Sequence, residues 1–83
     1  MVTKELVMKD FTRMDASPAA MLVQLASKFD SSVYVNQDEK RTNAKSIMGV
    51  MILNFAAGTK ATVTVDGPDE AAALAEIEQF LEA

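Results

Sequence analysis

The hydrophobic pattern of this chain changes period several times over a short length, which restricts it to a small mixed fold. Ala61-Thr62-Val63-Thr64-Val65 alternates with period two. Ala19, Leu22, Val23, Ala26 and Phe29 recur instead at helical spacing, as do Ala73, Leu74, Ile77, Phe80 and Leu81. The first pattern buries one face of a sheet and the second one stripe of a helix, so the two must pack on each other. With 83 residues there is room for one such domain, spanning 1–83. Cysteine is absent, so no disulfide can staple the fold and the core must come from apolar burial. The 49% hydrophobic and 24% charged content is a globular balance that supplies it.

Local signals set the order of elements. Val2 to Lys9, with the apolar run Leu6-Val7-Met8, reads as a first strand, and Asp10 to Asp15 as a polar loop. Pro18 belongs to a first helical turn, where its missing N–H costs nothing. Either Ser17 caps that helix with Pro18 first, or Asp15 caps it with Ala16 first. Asp30-Ser31-Ser32 ends it, Val33-Tyr34-Val35 is a strand, Gln37 to Lys40 a polar turn, and Arg41-Thr42-Asn43 a short returning strand. Ser46 caps a short helix running to about Leu53 or Asn54. After Gly58 comes the alternating strand, then a Gly67-Pro68 turn and a last helix capped by Asp69. The order β-α-β-β-α-β-α predicts an α+β fold: an open-faced two-layer sandwich, with a four-stranded antiparallel sheet and three helices on one face.

Composition also narrows the chemistry. The chain contains no histidine, so neither imidazole nor thiolate is available for catalysis or metal binding, and no cofactor is implied. A net charge of −4 and scattered basic residues make direct nucleic-acid binding unfavourable. No apolar run is long enough for membrane insertion and the N-terminus lacks a signal peptide's apolar region, so the expected location is cytoplasmic.

Asn43-Ala44-Lys45-Ser46-Ile47-Met48-Gly49-Val50-Met51 closely resembles the second-helix motif of HPr proteins, the phosphocarriers of the bacterial sugar phosphotransferase system. Pro18-Ala19-Ala20, Val23-Gln24, Ala26-Ser27-Lys28-Phe29-Asp30 and Gly67 with Asp69-Glu70 also fall where that family has similar residues, so the resemblance spans the chain. The departure lies in the active-site loop, where the family pattern is Gly, apolar, His, Ala, Arg, Pro, Ala. Here Arg13-Met14-Asp15-Ala16-Ser17-Pro18-Ala19 stands, with Asp15 at the histidine and Ser17 at the arginine. Crh-type HPr-like regulators also lack the histidine, which is glutamine there, but keep the arginine.

Each position has a plain reading beside the functional one. Asp15 is better explained as a helix cap than as an acyl-phosphate carrier, and one carboxylate charge imitates a phosphoryl group poorly. Ser17 is a cap, or a relaxed position after loss of the arginine; its hydroxyl cannot offer phosphate a cationic fork. Ser46 is an N-cap that the resemblance also makes the target of a dedicated kinase, and phosphate is physically favoured at a helix N-terminus. Ile47, Met48, Val50, Met51, Ile52 and Leu53 surround a short helix with apolar groups. Val50 and Leu53 are expected to pack inward, leaving an exposed patch. The resemblance assigns partner contacts to Ile47, Met48 and Met51 and suggests one for Gln24. Ile52 stands where HPr proteins more often have a small polar residue, extending the patch or making it self-associate. Lys40 and Lys45 pair with acidic partners or stay solvated.

These readings imply a non-enzymatic regulator phosphorylated on Ser46 by HPr kinase/phosphorylase, which then docks, through the patch and the Asp15 loop, on a LacI-type catabolite control transcription factor. The alternatives are a phosphotransferase-system component or decoy that binds Enzyme I and permease domains, or a carrier using Asp15. The polar loop after the first strand permits exchange between protomers, and so a homodimer.

Overall fold

The computed structural model describes residues 1–82, and its elements follow the expected order. They are β1 (Val2–Val7), α1 (Pro18–Ser27), β2 (Ser32–Gln37), β3 (Lys40–Asn43), α2 (Ile47–Val50), β4 (Lys60–Asp66) and α3 (Glu70–Leu81). The four strands form one antiparallel sheet in the order β1-β4-β2-β3. β4 is thus inserted between β1 and β2, with Val2 opposite Val65 and Val33 opposite Val65 on its other side.

Alternation along the strands makes this a two-layer structure. Leu6, Val33, Val35, Ala61, Val63 and Val65 are buried on the inner face together with Met8 just beyond β1. The helices cover that face with Ala19, Leu22 and Ala26 of α1, Val50 of α2, and Ala73, Ile77 and Leu81 of α3. Full burial of Leu22 or Ile77 stabilises the fold by about 1.5–3 kcal/mol each. The other sheet face carries residues such as Thr3, Tyr34, Thr62 and Thr64, and the Arg41 guanidinium stacks 4.0 Å over the Tyr34 ring. Ion pairs of Lys4 with Glu78 and Glu82, and of Lys28 with Glu76, lie at the margins of α3.

Several local expectations need correction. The segment from Asp10 to Asp15 is not simply polar: Phe11 is buried, meeting Phe55 edge-on at 5.8 Å and Phe80 at 5.5 Å between ring centres. Gln37 and Lys40 belong to strands, which confines the turn to Asp38-Glu39, with Asp38 in the left-handed region (φ 55°). Asp69 precedes α3 but makes no side-chain cap bond. Its carboxylate accepts instead from the Asp30 and Ser31 backbone N–H groups, both at 2.9 Å, and from the Ser31 hydroxyl. These bonds, the Ser31 hydroxyl foremost, hold the Asp69 carboxyl below the usual carboxylate range. Gly67 permits the arrangement, because a Cβ there would lie 2.6 Å from the Ser31 Cα.

Candidate functional site

Ser46 occupies the junction of β3 and α2. A turn brings the chain there: the Ser46 N–H donates to the Asn43 carbonyl at 3.1 Å and the Lys45 N–H to Asn43 Oδ1 at 2.9 Å. Ser46 has extended backbone angles, and its Oγ accepts from the Gly49 N–H at 3.3 Å. It is an N-cap, as its position before the apolar run predicts. Gly49 lets the helix lie close on β3, since a Cβ there would come 3.1 Å from Thr42 Cγ2. Lys45 is neither solvated nor offered to a partner. Its Nζ donates to the Phe29 carbonyl beyond α1 at 2.6 Å, linking the two helices' surroundings.

The helix after Ser46 is shorter than expected. Regular α structure stops at Val50, and the chain tightens into turns in which the Ile52 N–H reaches the Gly49 carbonyl and the Leu53 N–H the Val50 carbonyl. Gln37 fixes where this ends. Its buried carboxamide donates to the Asn54 carbonyl and accepts from the Asn54 N–H, both at 2.8 Å. Sequence reasoning missed this residue, although the alternation of Val33 and Val35 continues to it.

With Val50 and Leu53 buried as expected, the rest of the turn faces outward. Met48 is 80% exposed, Met51 69%, Ile52 62% and Ile47 45%. Met21 of α1 is a further exposed apolar side chain, and Gln24 is exposed on the same helix. α1 packs beside α2.

At α1 the two capping alternatives resolve. Ser17 is the N-cap, accepting from the Ala20 N–H at 3.3 Å, with Pro18 first in the helix. Asp15 is therefore not the cap; it lies exposed in the loop two residues earlier. No cationic side chain donates to Ser17 or Asp15 among the described hydrogen bonds and ion pairs. Among the described residues no three acidic side chains converge to hold a metal ion, and no helix is long and apolar enough to cross a membrane. No concave pocket is found among the described residues.

Comparison with known proteins is consistent across sequence and structure. The family model described as PTS-HPr, "PTS HPr component phosphorylation site", matches residues 2–83. The chain is 44% identical over 82 residues to phosphocarrier protein HPr of Treponema pallidum, covering 99% of this chain and 93% of that protein. A crystal structure of HPr from Bacillus anthracis superposes with a TM-score of 0.88 at 34% identity, covering 98% of this chain and 96% of that one. Bacillus subtilis Crh, which crystallised as a dimer with a swapped domain, is similar at a TM-score of 0.72 and 40% identity, over 90% of this chain and 82% of that one.

Proposed function

Because this chain belongs to the PTS-HPr family, we propose that it works as an HPr-like regulator of carbon catabolite control, a cytoplasmic binding module rather than an enzyme or histidine phosphocarrier. The carrying observation is the contrast between two loops. At Asp15 and Ser17 no imidazole is available to accept phosphate and no arginine to steady it, whereas Ser46 keeps its cap beside four exposed apolar residues.

Phosphorylation of Ser46 by HPr kinase/phosphorylase would add about −1.5 to −2 charges at the edge of an otherwise uncharged apolar surface. Basic residues of a LacI-type transcription factor would hold the phosphate, while Met48, Met51, Ile47 and Ile52 supply adaptable apolar contact and the Asp15 loop and Gln24 border it. DNA is then contacted by the partner and not by this acidic chain.

A second reading is favoured by the similarity to HPr of Treponema pallidum: binding to Enzyme I and permease domains without transfer, or transfer through Asp15. The two are separated by incubating the protein with phosphoenolpyruvate and Enzyme I, and separately with ATP and the kinase, then locating phosphate by mass spectrometry. Label on Ser46 in the second reaction alone, with tighter binding to the transcription factor, is expected. Label on Asp15 would overturn the regulatory reading.

A further inference from the structure

Because the chain has no cysteine, the thioethers of its six methionines are the side chains that a peroxide oxidises first. The fold grades their access. Met8 is buried in the core and Met14 is packed against it, whereas Met48 and Met51 are among the most exposed apolar side chains of the molecule. Met48 lies inside α2 and Met51 is its C-cap, so the two stand three residues apart and are neighbours on one turn. Ser46, the N-cap of the same turn, precedes Met48 by two residues. Met1 is comparably exposed but belongs elsewhere, since its ammonium is held by Glu70 and Asp66 beside α3.

We infer that Met48 and Met51 form a reversible oxidation site that opposes the action of Ser46 phosphorylation. With hydrogen peroxide as oxidant, a sulfur lone pair attacks one peroxide oxygen, the S–O bond forms and the O–O bond breaks. Two electrons leave the sulfur, and the second oxygen departs as water. The product sulfoxide is polar and needs a hydrogen-bond donor when buried. The turn offers it none from the backbone, because the N–H groups of Gly49, Val50, Met51, Ile52 and Leu53 are all bonded within the turn itself. Against an apolar partner surface the new oxygen therefore stays unpaired, which weakens docking by about tenfold or more. That consequence rests on the regulatory reading proposed above, whereas the selectivity of oxidation does not. Neither thioether is part of the core, so the modified chain stays folded. Reversal needs two thiols, which this chain lacks. A thiol-dependent methionine sulfoxide reductase supplies them, the sulfoxide oxygen leaving as water while the thiols close to a disulfide.

Graded hydrogen peroxide on the intact chain, followed by peptide mass spectrometry, tests the site directly. Met48 and Met51 should become sulfoxides as fast as Met1, and Met8 slower by about tenfold or more. Circular dichroism and the urea midpoint should not change at that stage, and sulfoxide reductases of both stereospecificities with a dithiol should restore the thioethers. The Ser46-phosphorylated chain should then lose affinity for the transcription factor by about tenfold on oxidation and regain it on reduction. In a Met48→Leu, Met51→Leu double variant, compared with its own untreated sample, peroxide should cause no such loss although Met1 still oxidises. Sulfoxides that form at Met48 and Met51 no faster than at Met8, or that resist the reductases, would overturn the inference. Affinity unmoved by oxidation, or lost equally in the double variant, would overturn it too. Failure of the phosphorylated chain to bind before any peroxide is added defeats the regulatory reading instead, and the oxidation and repair profile then decides the site by itself.

Discussion

Val50 and Met48 are two residues apart on α2, yet one is fully buried and the other 80% exposed. Replacing each by alanine measures whether the helix has the two faces described above. Val50→Ala removes two methyl groups from the core, about 0.8 kcal/mol of transfer energy each. The unfilled space they leave adds to this, for a loss of about 2 kcal/mol. In a domain of this size that lowers the melting midpoint by roughly 8–16 °C. Met48→Ala removes a larger side chain but opens no cavity, so its effect should lie within about 0.5 kcal/mol. Urea unfolding followed by circular dichroism reads both, and an unchanged m value confirms that the comparison is of stability alone. An equal loss for the two variants, or none for Val50→Ala, would refute the assignment of the outer face as surplus to the core.

Three further outcomes follow from the hydrogen-bonded junctions. Since Asp69 is more acidic in the folded chain than its ordinary value of 3.8, its contribution is present above that pH and is lost as pH falls through the folded value. Urea midpoints from pH 7 to about 2.5 should therefore drop at the acid end, and less steeply for Ser31→Ala, which removes the largest cause of the shift. Gly67→Ala should cost about 2 kcal/mol or more, because its Cβ meets Ser31 backbone as well as side chain; thermal melts with a Pro68→Ala control check this. Gln37→Ala should cost about 1–3 kcal/mol and speed hydrogen exchange at the Asn54 amide, whereas unchanged exchange there would mean the carboxamide clamp is dispensable.

What was legible in the sequence depended on how local the cause was. The Val63 and Val65 alternation, the Leu22 and Ile77 stripes and the proline after Ser17 act within a few residues, and they led to the right elements in the right order. The partition of α2 into buried Val50 and Leu53 and outward Met48 and Met51 was also readable, because two turns cannot bury every side. Asp69 was misread because its hydrogen-bond partners, Asp30 and Ser31, stand far back in the chain, and a nearby helix start is the better local guess. Asp15 lost the cap to Ser17 for a reason that sequence left balanced, as both types cap well. Lys45 and Gln37 were taken for surface residues because their partners are backbone atoms of distant segments, which carry no side-chain signature.

The strand order also has a consequence for synthesis. β1 is the first strand made, but among the described residues the one strand it pairs with is β4, with Val2 against Val65 and Val7 against Lys60. Until Lys60 to Asp66 has left the ribosome, β1 has no edge to join, and Leu6 and Met8 have no complete sheet to pack within. The fold is therefore completed late, by closure of a long loop rather than growth from the N-terminus, and its slow step should respond more to changes in β4 than in α1.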